Sequence, residues 1–106
     1  MKVLFICNQN KNRSKTAEEI FKGVYKTRSA GLYNGKPVTE KTLAWADVIV
    51  TMDDEQRNEI GKRFSKQYLQ KQVISLNIPD IYSYNQSELV NLLQSRMKKM
   101  TILTTH

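Results

Sequence analysis

Three short apolar segments of the chain have the length and composition of buried β-strands. They are Lys2 to Ile6 (KVLFI), Asp47 to Met52 (DVIVTM) and Gln72 to Leu76 (QVISL). All three are mainly apolar and contain β-branched residues, which suit strands that are covered on both faces. A fourth segment, Lys26 to Ala30, is less apolar, and we interpret it as a further short strand.

The stretches between these strands have the pattern of amphipathic helices. Serine, threonine and aspartate favour the N-cap position of a helix. We predict four helices: Lys15 to Tyr25 after Ser14, a helix from Thr39 to Ala46, a helix opened by Asp53, and Ser87 to Met100. Glycine, asparagine and proline mark the segments Gly31 to Pro37 and Asn77 to Gln86 as loops. The tail Thr101 to His106 is expected to fray.

This alternation of strands and helices predicts an α/β fold. Parallel neighbouring strands need crossover connections, so we expect a three-layer α/β/α arrangement around a four-stranded parallel sheet. The length of 106 residues suits one domain, residues 1–106. Ligands bind at the carboxyl ends of the strands in folds of this kind. The loop after the first strand is therefore the first candidate site.

The chain is basic and has no segment suited to a membrane. Seventeen Lys and Arg residues against ten Asp and Glu residues give a net charge of +7. Such a surface attracts phosphorylated substrates, nucleic acid and acidic partners without choosing among them. No apolar run has the length that a bilayer requires, and the first residues are too short for a signal peptide. We expect a cytoplasmic protein with no membrane partner.

The loop Cys7 to Arg13, here called the phosphate loop, joins the first strand to the first helix and holds the only cysteine. Backbone N–H groups in such a loop form a nest for an anion, and the positive end of the next helix adds to it. Arg13 can bind two phosphate oxygens with its planar guanidinium group. The same positive field favours a thiolate, which is a nucleophile toward phosphorus. The alternative is that Cys7 is a small buried hydrophobe.

The residues Cys7, Asn10, Arg13 and Ser14 match the C-x5-R-S motif of the low-molecular-weight protein tyrosine phosphatases. Four further segments resemble that family: TAEEIF (16–21), SAGL (29–32), WADVIVTMDDEQRNEI (45–60) and NIPDIYSY (77–84). The chain looks most similar to a compact bacterial branch of predicted tyrosine phosphatases. It departs from the usual pattern at Pro79, which precedes the acid instead of following it, and at Asn12, where a second cysteine is common.

The resemblance implies a phosphatase that hydrolyses phosphotyrosine or a similar aryl phosphate monoester through a cysteinyl-phosphate intermediate, without metal or cofactor. Cys7 would be the nucleophile, Arg13 the phosphate ligand and Asp80 the general acid that protonates the leaving oxygen. Asp53 is a second candidate for the acid. The implied substrate-binding residues are Asn8, Gln9, Asn10, Lys11, Asn12, Ser14 and Tyr82. The expected partners are a phosphotyrosine protein or a small aryl phosphate, with inorganic phosphate as product and inhibitor.

Several alternatives remain open at this point. A catalytically weak pseudo-phosphatase would bind phosphotyrosine or another anion without turnover. An arsenate reductase-like enzyme would need an external thiol, because this chain has no second cysteine. A sugar phosphotransferase component can carry a phosphocysteine on a similar loop, but it does not need an arginine at the position of Arg13. A basic nucleic-acid binder could use Lys11, Arg13 and Lys15, although nucleic acid is not the partner that we expect.

Overall fold

The structure is a computed structural model that describes residues 1–104, with side chains for residues 1–100. Its strands are β1 (Lys2–Cys7), β2 (Lys26–Gly31), β3 (Val48–Thr51) and β4 (Gln72–Ser75). Its helices are α1 (Arg13–Phe21), α2 (Glu40–Trp45), α3 (Asp54–Arg63), α4 (Ser65–Gln70) and α5 (Ser87–Thr104). All four predicted strands are present, within one or two residues of the predicted bounds.

The four strands form one parallel sheet in the order β2-β1-β3-β4. In the central strand β1, Ile6 pairs with Ala30 on one side and with Thr51 on the other. The outer strand β4 pairs with β3, where Ser75 lies beside Thr51. Because the strands are parallel, the segments that follow β1, β3 and β4 all emerge at the same edge of the sheet.

Apolar layers cover both faces of this sheet. Phe5 and Cys7 face one layer, which includes Leu93 and other residues of α1 and α5. Leu4 faces the opposite layer, which includes Leu43 of α2 and residues of α3 and α4. Full burial of an apolar side chain of this size contributes about 1.5–3 kcal/mol. The alternation along β1 therefore builds two cores, and the predicted three-layer α/β/α fold class is confirmed.

The first helix differs from the sequence prediction at both ends. It begins at Arg13 with Asn12 at the N-cap, so the prediction of Ser14 as the cap is wrong. Ser14 lies inside the first turn and is fully buried, because its hydroxyl contacts side chains of the phosphate loop. The helix ends at Phe21, just before Gly23, so the predicted end at Tyr25 is wrong, and Val24 is 70% exposed.

Two other helices go beyond the prediction. Helix α4 was not expected, and none of its residues is buried, so it has no apolar periodicity that a sequence reading could detect. Helix α5 continues through Thr104. The backbone of residues 101–104 is therefore helical, whereas the sequence predicts that this segment frays. Residues 105 and 106 of the predicted tail lie outside the described residues. Within residues 1–104, no helix has both the length and the apolar character needed to cross a membrane.

Candidate active site

A cleft of about 120 Å³ lies at the carboxyl ends of the strands. The phosphate loop forms most of its wall, and the loop between β4 and α5 (residues 76–86, here called the β4–α5 loop) contributes one carboxylate. The lining residues are Cys7, Asn8, Gln9, Lys11, Asn12, Arg13 and Asp80. Apart from the thiol, every side chain in this wall is polar or charged. The cleft is therefore suited to an anionic ligand and not to an apolar one.

The thiol of Cys7 is held at the end of β1 by a chain of two side chains. Its Sγ lies 2.9 Å from Oγ of Ser14, and that hydroxyl donates to Oδ1 of Asn10 at 2.9 Å. Asn10 has a φ of 52°, in the left-handed region that asparagine tolerates better than most residues. The Cys7 residue is only 3% exposed, so a ligand can reach its sulfur only through the cleft. While that hydroxyl donates to Asn10, the thiol of Cys7 is the donor to Ser14, and a thiolate would require Ser14 to turn its O–H from Asn10 to the sulfur.

The backbone of the phosphate loop is fixed by the segment that follows β2. The carbonyl of Cys7 accepts a hydrogen bond from the N–H of Leu32 at 3.1 Å, and that of Asn8 accepts from Tyr33 at 2.9 Å. Within the described residues, the N–H groups of positions 9 to 12 make no hydrogen bond to another backbone group. The carbonyls thus have protein partners while a row of N–H donors is left for a ligand, as expected for an anion-binding nest.

Arg13 is buried at the base of the cleft and is held by acceptors from two other loops. Its side chain is only 2% exposed. Nη1 donates to Oδ2 of Asp53 at 3.2 Å and to the backbone carbonyl of Ile78 at 2.8 Å. A buried guanidinium group needs such partners, because an unpaired charge inside a protein is costly. Both bonds use the same nitrogen, so the edge formed by Nε and Nη2 is left to bind phosphate oxygens in a two-pronged manner.

Two carboxylates contact Arg13, and they are held very differently. Asp53 is the N-cap of α3: its Oδ1 accepts from the N–H of Gln56 at 2.9 Å and its Oδ2 accepts from Arg13. Asp80 lies 3.6 Å from Nε of Arg13, makes no hydrogen bond to the described residues, and has a side chain that is 63% exposed. Asp53 has both oxygens in hydrogen bonds, whereas Asp80 lines the cleft and neither of its oxygens makes a hydrogen bond to the described residues.

The predicted substrate-binding residues occupy different places. Asn8, Gln9, Lys11 and Asn12 line the cleft itself. Asn10 and Ser14 stand behind the thiol and contact it or each other, so they shape the loop. Tyr82 is half-buried and packs against the core layer that contains α1 and α5, and it is not among the residues that line the cleft.

One residue of this region was missed at the level of the sequence. Gln56 is 1% exposed and forms a capping box with Asp53. Its Nε2 also donates to Oδ1 of Asn8 at 3.1 Å, which links α3 to the phosphate loop. The sequence does hold a signal for the first part, since an N-cap aspartate followed three residues later by glutamine is a capping-box pattern. The bond to Asn8 depends on the tertiary fold and leaves no such signal.

Comparisons with solved structures identify proteins that share this fold. No protein-family model and no curated protein matches the chain. A low-molecular-weight protein tyrosine phosphatase from Bacillus subtilis has a TM-score of 0.72 and 23% identity, covering 95% of this chain and 97% of its own. YwlE arginine phosphatase from Geobacillus stearothermophilus has a TM-score of 0.72 and 17% identity, and the match covers 99% of this chain and 96% of its own. The tyrosine phosphatase amsI from Erwinia amylovora has a TM-score of 0.77 and 16% identity, and the match covers 96% of this chain and 91% of its own. The chain has the fold of the low-molecular-weight protein tyrosine phosphatases, so the resemblance is confirmed at the level of fold.

Proposed function

We propose that the protein is a phosphatase that hydrolyses phosphotyrosine or a similar aryl phosphate monoester through a phosphorylated Cys7. One observation carries this proposal: a thiol, a buried guanidinium group and an exposed carboxylate line the same polar cleft. The fold supports it, because the three solved structures named above are described as phosphatases of tyrosine or arginine. Both kinds of protein act on a phosphoryl group.

In the first step the sulfur of Cys7 attacks phosphorus. The S–P bond forms as the bond between phosphorus and the aryl oxygen breaks, and that oxygen takes the proton of Asp80 and leaves as a neutral phenol. Charge on the equatorial oxygens is stabilised by Arg13 and by the N–H groups of positions 9 to 12. Ser14, whose Oγ lies 2.9 Å from the sulfur, turns its O–H from Asn10 to the thiolate and steadies it with a hydrogen bond, without transferring the proton.

In the second step a water molecule attacks the phosphorus of the cysteinyl phosphate. Asp80, now ionised, accepts a proton from that water as the O–P bond forms and the S–P bond breaks. The electron pair returns to the sulfur, inorganic phosphate leaves, and Cys7 and Asp80 are restored to their starting forms. No electrons are gained or lost, so the cycle needs neither a redox partner nor a second cysteine.

Phosphoarginine is the second candidate substrate, since one structural neighbour is an arginine phosphatase. Its leaving group departs as a guanidinium cation, whereas that of phosphotyrosine departs as a neutral phenol. Lys11 lines the cleft and forms no ion pair within the described residues. A like charge beside a departing cation is unfavourable. We therefore favour the aryl phosphate, and peptides that differ only in phosphotyrosine or phosphoarginine give a direct comparison of kcat/KM.

Hydrolysis of p-nitrophenyl phosphate by wild type and by Cys7→Ser tests the proposal. Wild type should release nitrophenol, and Cys7→Ser should bind phosphate yet lose turnover, because serine is a much weaker nucleophile here. Phosphate binding without turnover by wild type would favour the pseudo-phosphatase. Thiol-dependent loss of arsenate without phosphatase activity would favour the reductase. Equal rates for wild type and Cys7→Ser would remove Cys7 from the mechanism.

A further inference from the structure

The buried side chain of Gln56 makes three hydrogen bonds, one of which joins α3 to the phosphate loop. Its Oε1 accepts from the backbone N–H of Met52 at 2.8 Å and from that of Asp53 at 3.1 Å. Its Nε2 donates to Oδ1 of Asn8 at 3.1 Å. A capping box needs only the bond to the N-cap residue, so the bonds to Met52 and Asn8 are additional.

These bonds determine which way two side-chain amides face. A backbone N–H group can only donate, so the atom of Gln56 that faces Met52 and Asp53 has to be its carbonyl oxygen. The opposite atom is then the NH₂ group, which also only donates. The atom of Asn8 that faces Gln56 must therefore be its carbonyl oxygen. The O and N atoms of a side-chain amide are often hard to tell apart. For Asn8 they are assigned here, because the backbone N–H groups of Met52 and Asp53 orient Gln56 and Gln56 in turn orients Asn8.

The NH₂ group of Asn8 is consequently turned away from Gln56. Asn8 lines the cleft and directly follows Cys7 in the chain. Within the described residues its Nδ2 makes no hydrogen bond, and it is not among the fully buried atoms that lack a partner. An amide that is held on one side and accessible on the other presents two preoriented N–H donors to a ligand.

We propose that Asn8 donates a hydrogen bond to an oxygen of the bound phosphate monoester and that Gln56 is the positioning residue that turns it toward the substrate. This inference rests on the proposed function and adds a binding contact to it. An apolar residue at position 8 would leave that wall of the cleft without a donor. A carbonyl oxygen turned inward would repel the phosphoryl oxygens.

The variant Gln56→Glu separates these two orientations. The carboxylate still accepts from Met52 and Asp53, and glutamate is an ordinary capping-box residue. It cannot donate to Asn8, so Asn8 rotates its NH₂ group toward Glu and its carbonyl toward the cleft. Affinity for inorganic phosphate and for phenyl phosphate should fall by about tenfold or more, the usual effect of losing a hydrogen bond to a charged group. Melting temperatures of all variants establish that each one folds.

The variant Asn8→Leu leaves the cap of α3 intact and provides the matched background. It should weaken binding by a similar factor, and Gln56→Glu added to it should have only the smaller effect of its charge. In wild type, the side-chain NH₂ signal of Asn8 in a ¹H–¹⁵N spectrum should shift on addition of phosphate. Affinity loss for phenyl phosphate alone would assign the contact to the oxygen of the ester bond and would still support the proposal.

Equal effects of Gln56→Glu in the wild-type and Asn8→Leu backgrounds would overturn the proposal, because Gln56 would then act independently of Asn8. The same holds if Asn8→Leu binds both ligands as tightly as wild type. A wild-type protein that binds no phosphate would contradict the proposed function itself. If wild type binds phosphate but Gln56 and Asn8 show no coupling, only the inference about these two residues fails and the proposed function stands.

Discussion

The phosphate loop and the β4–α5 loop form the same cleft but are held to different degrees. In the phosphate loop, Cys7 and Arg13 are almost completely buried, as is the adjoining Ser14 of α1. The carbonyls of Cys7 and Asn8 accept hydrogen bonds from the segment after β2. In the β4–α5 loop, Asp80 is 63% exposed and Ile81 is 74% exposed. Hydrogen bonds hold that loop near its ends, and Tyr82 packs against the core layer that contains α1 and α5.

The fixed points of the β4–α5 loop lie on either side of Asp80. Before it, the N–H of Ile78 donates to Met52 at 2.7 Å and the carbonyl of Ile78 accepts from Arg13 at 2.8 Å. After it, the N–H of Asn85 donates to Oγ1 of Thr16 at 2.8 Å. Asp80 is therefore kept near Arg13 by its neighbours in the chain, while its own carboxylate makes no hydrogen bond to the described residues. We infer that the phosphoryl group meets a preorganised site, while the acid adapts to the leaving group.

The largest effect that follows from this comparison is that of Asp80→Asn. Loss of the general acid should slow phosphorylation of Cys7 on the order of 10²–10⁴-fold for phenyl phosphate, whose phenolate needs a proton. The loss should be much smaller for aryl phosphates with strongly acidic phenols. Single-turnover rates across a leaving-group series measure it, because hydrolysis of the cysteinyl phosphate is common to all substrates.

The matched control is Asp53→Asn, which changes the other carboxylate beside Arg13. Asparagine is as good an N-cap as aspartate, so α3 should keep its start. Since Asp53 contacts Arg13 and does not line the cleft, its loss should affect all leaving groups equally. Equal losses across the series for Asp80→Asn, with a graded response for Asp53→Asn, would reverse the two assignments.

The next effect concerns Arg13→Lys. Lysine keeps the positive charge but loses the planar pair of donors, and it cannot bond Asp53, Ile78 and two phosphate oxygens together. We expect kcat/KM to fall on the order of 10²–10³-fold, as for the loss of a transition-state donor. The fall should be the same for every leaving group. A variant equal to wild type in kcat/KM would mean that Arg13 supplies charge alone.

A smaller effect is expected for Gly31→Ala, at the end of β2. An added Cβ would lie 3.0 Å from the backbone nitrogen of Asn10 and 2.9 Å from Cγ of Asn34. The Asn34 side chain can move, but the phosphate loop has to shift, and overpacking of this kind costs about 1–3 kcal/mol. Thermal unfolding should show the loss together with lower phosphate affinity. Gly35→Ala, where a Cβ meets nothing within 4 Å, is the control and should change neither.

The smallest effect lies far from the cleft, at Asp47. Its Oδ2 accepts from the backbone N–H of Lys2 at 2.8 Å, and this bond lowers the pKa of the Asp47 carboxyl from its usual 3.8. A carboxyl with a lowered pKa stabilises the fold when it is ionised, and the contribution disappears as the pH falls through the folded-state pKa. Asp47→Asn should lower Tm slightly at neutral pH, and the difference from wild type should vanish below the pKa. A difference that persists in acid would assign the effect to geometry and not to charge.

Much of the fold and the phosphate loop could be predicted from the sequence because local patterns determine them. The buried strands are continuous apolar runs, and Thr39 and Asp53 cap helices as their residue types favour. The position of Cys7 at the end of β1 follows from the first of these runs. Each of these features depends on residues that are close together in the chain.

The parts that could not be predicted depend on contacts between distant segments. Ser14 looked like an N-cap because serine favours that position, yet its hydroxyl bonds within the phosphate loop and the cap moved to Asn12. One of the two acceptors that hold Arg13 is the backbone carbonyl of Ile78. Every residue has such a carbonyl, so the residue type gives no signal for this contact. Tyr82 has a ring that suits a pocket or a core, and only the fold shows that it packs against the core.

The most direct test of the account is to trap the phosphorylated protein. Wild type is mixed with p-nitrophenyl phosphate, quenched in an alkaline denaturant within one turnover and digested, and the peptides are analysed by mass spectrometry. We expect one added phosphoryl group on the peptide that contains Cys7 in wild type, and in Cys7→Ser no phosphocysteine and no turnover. Rapid release of phosphate without any phosphorylated Cys7 peptide, or with the phosphoryl group on another residue, would contradict it.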